Sequence, residues 1–174
     1  TRRSSDLVLN KSKIDSLCLD LERQEFHISM STSQEFAKAA IERYPYLRIQ
    51  NIYHEIASLR LIKSEEEIKL IRQAIDITDV GIKALMKNAK VGMKEYELEA
   101  YFDFTLKSSG VTDYAFHTIA AGGKNATILH YDRNNSELQD DKLVLFDLGA
   151  QYKYYNADIS RTFPVNGKYT ERQK

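Results

Sequence analysis

Two aspartates near the end of the printed sequence have the spacing that points most directly to chemistry. Asp147 and Asp158 lie eleven positions apart in LVLFDLGAQYKYYNADISRTFPVNG, and the segments around them alternate in the manner of strands. A hairpin that turns near Tyr152 and Lys153 would place the two acids opposite each other. Opposed side chains on one face of an antiparallel sheet have Cβ atoms about 5 Å apart. The pattern therefore predicts a close pair of carboxylates.

Two like charges this close need compensation, and their apolar neighbours predict a site partly removed from water. A shared proton, a basic side chain or a metal ion would each relieve the repulsion. Arg161 lies three residues after Asp158 and so falls on the other face, and no lysine alternates correctly with either acid. Carboxylate oxygens suit Mg, Mn, Co or Zn, often as a metal pair for hydrolysis. On spacing alone, a metal site and a solvated acidic pair both stay open.

A histidine precedes the two acids and is the third candidate site residue. His130 lies seventeen residues before Asp147, at the end of the strand-like segment TILHY and ahead of a polar turn. A single histidine is more often structural than catalytic, but one at the mouth of a sheet beside two acids is a candidate for proton transfer. No such pair of acids accompanies His27, His54 or His117 in the sequence pattern, and these three are expected to be surface or core residues.

Two helices and a sheet must position these residues. Ser64 and Glu67 form a capping box that predicts a helix start, and VGMKEYELEAYFDFTLKSSG predicts a second helix that ends before Gly110. From Asp113 onward the period is two, which predicts an antiparallel sheet. The buried positions expected on the two helices are Ile68, Ile71, Ile75, Ile82, Leu85 and Met86 on the first, and Leu98, Tyr101, Phe102 and Thr105 on the second.

The N-terminal third has the pattern of a small α/β unit. FHISMS at 26–31 predicts a strand, SQEFAKAAIERY at 33–44 a helix with Ser33 as a possible cap, and YLRIQNIY at 46–53 a second strand. This order is that of a βαβ piece. Residues 1–13 show no clear periodicity, and we assign them no structure.

Composition and charge exclude several classes of partner. The 174 residues carry 25 basic and 25 acidic side chains, so bulk electrostatics favour neither nucleic acid nor an acidic membrane surface. The single cysteine, Cys18, cannot form an intrachain disulfide, and no segment resembles a signal peptide or a membrane span. We therefore expect a cytoplasmic protein without nucleic-acid or membrane partners. The N-x-S/T triplets at Asn10 and Asn125 are expected to be chance.

The segments FHTIAAGGKNATILHY and LVLFDLGAQYKYYNADISRTFPVNGKYTERQ resemble the pita-bread metallopeptidases, in the branch of Xaa-Pro aminopeptidase (aminopeptidase P) and Xaa-Pro dipeptidase (prolidase). LRLIKSEEEIKLIRQA resembles the linker and opening helix of that catalytic domain. The resemblance implies a fold class of α/β to α+β. Residues 1–58 would be the C-terminal part of a creatinase-type N-terminal domain. Residues 59–174 would be the N-terminal part of a pita-bread domain, with helices on a curved antiparallel sheet.

The resemblance also implies roles for the three candidate residues. Asp147 matches a metal-ligating aspartate and Asp158 the aspartate that bridges two metals, whereas His130 matches a histidine that hydrogen-bonds the substrate without binding metal. The expected cofactor is a pair of divalent ions, Mn²⁺ first and Co²⁺ or Zn²⁺ as alternatives, and the expected substrate is a proline-containing peptide. Ser160, on the same face as Asp158, would lie beside the ligands.

The family's remaining ligands, one histidine and two glutamates, have no counterpart before Lys174. We therefore expect this chain by itself to bind metal weakly and not to cleave peptides. An incomplete domain would leave apolar sheet surface uncovered, which favours association into a homodimer or higher homo-oligomer.

Three functions stay in competition. The segment LGAQYKYYNADISRTFPVNG favours the aminopeptidase, and the dipeptidase is the alternative. A non-catalytic peptide- or partner-binding module is the third, and retention of both acids and His130 argues against it.

Overall fold

The computed structural model describes residues 14–22 and 27–174, in two units, Thr1–Lys63 and Ser64–Lys174. The division falls five residues after the boundary expected between residues 58 and 59. A helix that runs over Tyr53–Leu61 crosses the expected boundary and belongs to the first unit.

The first unit contains strand β1 (Ser16–Leu19), helix α1 (Thr32–Arg43), strand β2 (Arg48–Asn51) and helix α2 (Tyr53–Leu61). The two strands pair in parallel. The strand, helix, strand order is the predicted one, but the first strand is Ser16–Leu19 and not the segment at 26–31. Ala40 and Leu47 are buried at its centre.

The strand predicted at 26–31 is wrong. Phe26 lies outside the described residues, and the residues after it form a turn and a bend before α1. Ile28 and Met30, the alternating apolar residues, are about half exposed and reach no core. Ser31, not Ser33, caps α1, because its hydroxyl accepts a hydrogen bond from the Gln34 amide while its own amide donates to the Gln34 side chain.

The second unit opens with helices α3 (Glu65–Asn88) and α4 (Glu95–Ser108). The predicted capping box is confirmed, since Ser64 N donates to Glu67 Oε2 at 2.7 Å and Glu67 N donates to Ser64 Oγ at 3.3 Å. Gly110, with φ +74°, follows α4 as predicted.

The buried stripe of each helix is narrower than predicted. Ile75 and Met86 of α3 and Tyr101 of α4 are each roughly 40% exposed, so they lie at the edge of the buried stripes and not within them. A Cβ atom at Gly81 would collide with the Phe102 ring, so the close packing of α3 on α4 requires glycine there. The residues buried on α3 are Ala74, Thr78, Gly81, Ile82 and Leu85.

The predicted antiparallel sheet is confirmed, with strands in the order β3 (Ile119–Gly122), β4 (Leu143–Leu148) and β7 (Ile159–Pro164). Between β4 and β7 in the chain, β5 (Gln151–Tyr152) and β6 (Tyr155–Asn156) form a separate two-stranded antiparallel sheet. The strand predicted at TILHY is wrong, because a 3-10 helix (Gly123–Thr127) and a turn occupy that segment.

The two faces of β4 differ. Val144, Phe146 and Leu148 are buried in the core that α3 and α4 share with the sheet. Leu145 and Asp147 alternate with them and are half-buried on the other face. This second face is where the candidate site residues lie. Within 14–22 and 27–174, no helix has the length and apolar character needed to cross a membrane.

Candidate functional site

The hairpin register differs from the prediction by two residues. Tyr152 pairs with Tyr155, and the two-residue loop between them has φ values of +47° at Lys153 and +70° at Tyr154. Positive φ at both loop positions is the geometry of a type I′ turn, whose twist matches that of the flanking strands. Asp147 therefore lies opposite Ser160, not opposite Asp158.

The shift leaves the two acids on the same face of the sheet. A slip of one residue would have moved one acid to the other face, but a slip of two preserves the alternation. Asp158 precedes Ser160 by two positions and so is a diagonal neighbour of Asp147, a relation that places residues about 7–8 Å apart and not at the predicted 5 Å. Both aspartates line one cleft.

A glycine between the acids allows the strands to approach closely. A Cβ atom at Gly149 would collide with the backbone carbonyl of Ala157. One residue further on, Ala157 N donates a hydrogen bond to Ala150 O at 3.0 Å. The glycine in DLG is thus needed for the strand spacing that sets the distance between Asp147 and Asp158.

Ser160 fixes the orientation of the first acid. Its hydroxyl donates a hydrogen bond of 2.7 Å to Asp147 Oδ1. Arg161 does not compensate the charge, since its guanidinium donates to the backbone oxygen of Ser160. In the part of the chain that the structure describes, neither aspartate forms a salt bridge. The expectation of a partly dehydrated site holds for half-buried Asp147 only, because Asp158 and Ser160 are exposed on the open face.

A cleft of about 450 Å³ brings the candidate residues together. His130 enters it from the turn after the 3-10 helix, whereas the aspartates come from the hairpin. A second cleft, of about 310 Å³, shares His130 and Asp147 and also includes Ser160. The lining of the larger cleft consists of Phe116, His117, Ile119, His130, Tyr131, Asp132, Asp147 and Asp158.

His117 is exposed, in line with the expected surface or core position, but it has acidic neighbours that the sequence did not reveal. It lines the same cleft as the two acids, and its Nε2 lies 3.3 Å from the backbone oxygen of Asp132. The signal that would have identified it is register: Ile119, two residues later, pairs directly with Asp147. His117 precedes Ile119, the partner of Asp147, by two positions, and residues two apart along a strand point to the same face.

His130 also differs from its predicted setting. It does not end a strand but lies in a turn with φ +53°, a left-handed conformation that is uncommon outside glycine although histidine is among the side chains enriched there. Its side chain is exposed at the edge of the cleft. The neighbouring Asn125 and Tyr131 are held by hydrogen bonds to Glu95, a residue that the sequence analysis did not single out.

A second group of ionisable residues lies behind this loop. Partial burial is the main cause that raises the pKa of Glu99, which accepts a hydrogen bond of 2.9 Å from Asn134. Burial and the neighbouring Asp103 carboxylate raise the pKa of Tyr114 to about 12, so its phenol stays protonated at neutral pH. None of Glu99, Asp103 and Tyr114 is among the residues that line the cleft.

The residues present fit part of a metal site. Two carboxylates with free oxygen lone pairs suit a hard divalent ion. Such ions take roughly four to eight ligands, and residues 14–22 and 27–174 contain no group of three or more His, Cys, Asp or Glu side chains arranged to hold a metal. The two aspartates could therefore make up only part of a metal's ligand set.

The sequence was also compared with known proteins. Residues 69–174 match the family described as "Metallopeptidase family M24". Escherichia coli (strain K12) "Xaa-Pro aminopeptidase" is 42% identical over 123 residues, which cover 71% of this chain and 27% of that protein. The Mus musculus "Xaa-Pro dipeptidase" is 35% identical over 144 residues, 79% of this chain and 29% of that protein.

A solved structure described as a putative aminopeptidase P from Bacillus anthracis has 53% sequence identity and a TM-score of 0.84, covering 91% of this chain and 38% of that one. The chain thus spans less than two fifths of each of these relatives. The likeness confirms the predicted fold class, α/β to α+β with a partial pita-bread domain. From the family match and the shared architecture, this chain belongs to metallopeptidase family M24.

Proposed function

We propose that this chain is the N-terminal portion of a metal-dependent exopeptidase that hydrolyses the peptide bond before proline, of the aminopeptidase P type. The observation that carries the proposal is the single cleft lined by His130, Asp147 and Asp158, which come from two separate segments. The names of the relatives support the reaction class, because both act on Xaa-Pro bonds by name.

Asp147 and Asp158 are the residues that would hold the metal. Ser160 donates to one oxygen of Asp147 and leaves the other free, which holds the carboxylate in one orientation before a cation arrives. When bound, a divalent ion supplies Lewis acidity and an activated water for hydrolysis. We propose a pair of ions, with Mn²⁺ favoured and Co²⁺ or Zn²⁺ as alternatives, and further ligands from outside the described residues.

His130 is proposed to contact the substrate rather than the metal. Its exposed imidazole at the cleft edge is free to donate a hydrogen bond to the oxygen of the scissile carbonyl. A donor at this place stabilises the negative charge that develops on that oxygen during attack. His130 lies in a left-handed turn, and it lines the same cleft as both acids.

The proposal extends to partners and location. We propose a proline-containing peptide as the substrate, a cytoplasmic location, and no nucleic-acid or membrane partner, in line with the equal numbers of basic and acidic side chains. Exposed aliphatic side chains beside the cleft, Ile128 and Leu129, favour association into a homodimer or a higher homo-oligomer.

A peptide-cleavage assay on the natural full-length gene product tests the function. We expect Mn²⁺-dependent release of the first residue from a tripeptide with proline second, no cleavage after chelation, and no cleavage by Asp158→Asn. Cleavage of the Xaa-Pro dipeptide alone would favour the dipeptidase, for which the mouse relative is the supporting observation. If peptides bind but are not cleaved with Mn²⁺ present, the enzyme proposal fails and the binding module replaces it.

A further inference from the structure

Glu95 is a charged side chain buried away from the cleft. It is the first residue of α4 and has no solvent exposure, although glutamate is almost never fully buried without partners. Its carboxylate does not cap the N-terminus of α4, because the hydrogen bond from Lys94 N is accepted by Glu97, at 2.6 Å. Its burial therefore requires another explanation.

Four donors surround the Glu95 carboxylate. Oε1 accepts from Gly122 N at 2.7 Å and from Asn125 Nδ2 at 3.0 Å. Oε2 accepts from Tyr131 Oη at 2.8 Å and from Ser136 N at 2.9 Å. A carboxylate offers about four acceptor positions and no donor, so this set of donors matches the ionised form completely. We call these five residues the Glu95 network.

The network joins three separate pieces of backbone around His130. Gly122 ends β3, Asn125 lies in the 3-10 helix, and Tyr131 and Ser136 lie in the segment that follows. Asn125 Nδ2 also lies 3.1 Å from Tyr131 Oη, so the residues on both sides of His130 are tied to each other. His130 thus sits on a loop whose two ends are fixed to one buried carboxylate.

We infer that Glu95 is a positioning residue that holds the His130 turn in its left-handed conformation and so sets where the imidazole meets the substrate. This inference rests on the proposed function of His130. A catalytic group must be held within a fraction of an ångström, and displacement by about 1 Å can cost roughly a hundredfold in rate. The Glu95 carboxylate acts through the loop and touches neither the substrate nor the metal.

Two variants test the inference in the full-length protein. Glu95→Gln keeps the shape of the side chain but places an amide NH₂ group against two hydrogen-bond donors of the network. Tyr131→Phe keeps the aromatic ring and removes the hydrogen bond from Tyr131 Oη to Glu95. The matched control is Tyr155→Phe, which removes a hydrogen bond of the same kind, from Tyr155 Oη to Glu67 Oε1 at 2.7 Å, elsewhere in the same unit. Melting temperature and metal content are measured for all three.

We expect Glu95→Gln and Tyr131→Phe to lower kcat about tenfold or more, with metal content intact and KM little changed. Tyr155→Phe should leave kcat unchanged. In a His130→Ala background the first two substitutions should cause no further loss, because their effect passes through His130. If the losses are additive with His130→Ala, or if Tyr155→Phe lowers kcat equally, the inference is wrong and the network is only structural.

A spectroscopic readout separates this inference from the proposed function. The imidazole Cε1–H signal of His130, assigned by its absence from His130→Ala, should shift or broaden in Glu95→Gln and Tyr131→Phe but not in Tyr155→Phe. This result is expected even if no Xaa-Pro peptide is cleaved, in which case the function fails alone. An unchanged His130 signal in both network variants would overturn the inference whatever the activity.

Discussion

At the scale of single residues, the site depends on which side chains share one cleft. The alternation around Asp147 and Asp158 was enough to predict that both acids lie on one face, since a two-residue error in register does not change the face. The register itself was not predictable, because the turn needs positive φ at Lys153 and Tyr154 although neither is glycine or asparagine. Glu95 was missed because its role depends on contacts with residues 27 to 41 positions away.

The first prediction concerns His130. In the full-length protein, His130→Ala should lower turnover by about a hundredfold, the usual scale for a lost oxyanion donor, and leave the metal content intact. His54→Ala, which removes an exposed histidine of the first unit, serves as the control and should change neither. Loss of metal from His130→Ala would mean that this histidine is a ligand and that its proposed role is wrong.

At the scale of elements, helices were easier to predict than the segments between strands. Capping residues and 3.6-residue periodicity are local signals, and the start of α3 at Ser64 follows from them. The segment TILHY alternates like a strand, but Asn125 and Tyr131 are bound by a carboxylate on α4, which pulls the chain out of the sheet. Tertiary hydrogen bonds here override the local pattern, whereas at 28–30 the alternating residues Ile28 and Met30 are about half exposed and have no core to pack against.

The hairpin turn gives the second prediction. Tyr154 is 93% exposed and has φ +70°, so Tyr154→Gly should remove backbone strain at little cost in contacts. A non-glycine residue in this region costs roughly 1–2 kcal/mol, and glycine costs roughly 0.5–1 kcal/mol in unfolded-chain entropy, so the net gain in unfolding free energy is about 0.5–1 kcal/mol. Denaturant unfolding measures this gain.

Tyr169→Gly is the matched control, because Tyr169 is also an exposed tyrosine of the second unit but its φ is not positive. It should lower the unfolding free energy. A loss of stability in Tyr154→Gly would show that the turn does not have the type I′ geometry on which the register depends.

Helix α4 supplies a pH-dependent prediction. The pKa of Glu99 is raised mainly by burial, and also by Asp103, while the Asn134 hydrogen bond and His117 lower it. A carboxyl with a raised pKa in the folded state binds its proton more tightly there than in the unfolded chain. Its contribution to stability therefore falls as pH rises from the ordinary glutamate pKa through the raised value.

Glu99→Gln removes this ionisation and still accepts the hydrogen bond from Asn134. We expect its melting temperature to exceed that of the wild type at neutral pH, with the difference closing as pH falls toward the ordinary glutamate pKa. Glu171→Gln, at an exposed position, should show no such pH-dependent gap. A Glu99→Gln protein that is less stable than the wild type at neutral pH would contradict the assignment.

At the scale of the whole molecule, the second of the two units carries the candidate site, on a three-stranded sheet with one face covered by helices and the other open. The sequence predicted this layering, because strands that alternate strictly bury one face only. Asp147 and His130 lie at the open face, where a substrate has access. The described residues contain no group of three or more His, Cys, Asp or Glu side chains that could hold a metal, so the metal site that we propose needs further ligands.

Calorimetric titration of the full-length gene product with Mn²⁺ tests the central claim, that the aspartate pair is a metal site. We predict binding by the wild type, loss of binding in Asp147→Asn, and an affinity about tenfold lower in Ser160→Ala, where the hydrogen bond to Asp147 is missing. Thr162→Ala, two residues further along the same strand and opposite Leu145, should bind like the wild type. Wild-type affinity in Asp147→Asn, or no Mn²⁺ binding by the wild type, would contradict the account.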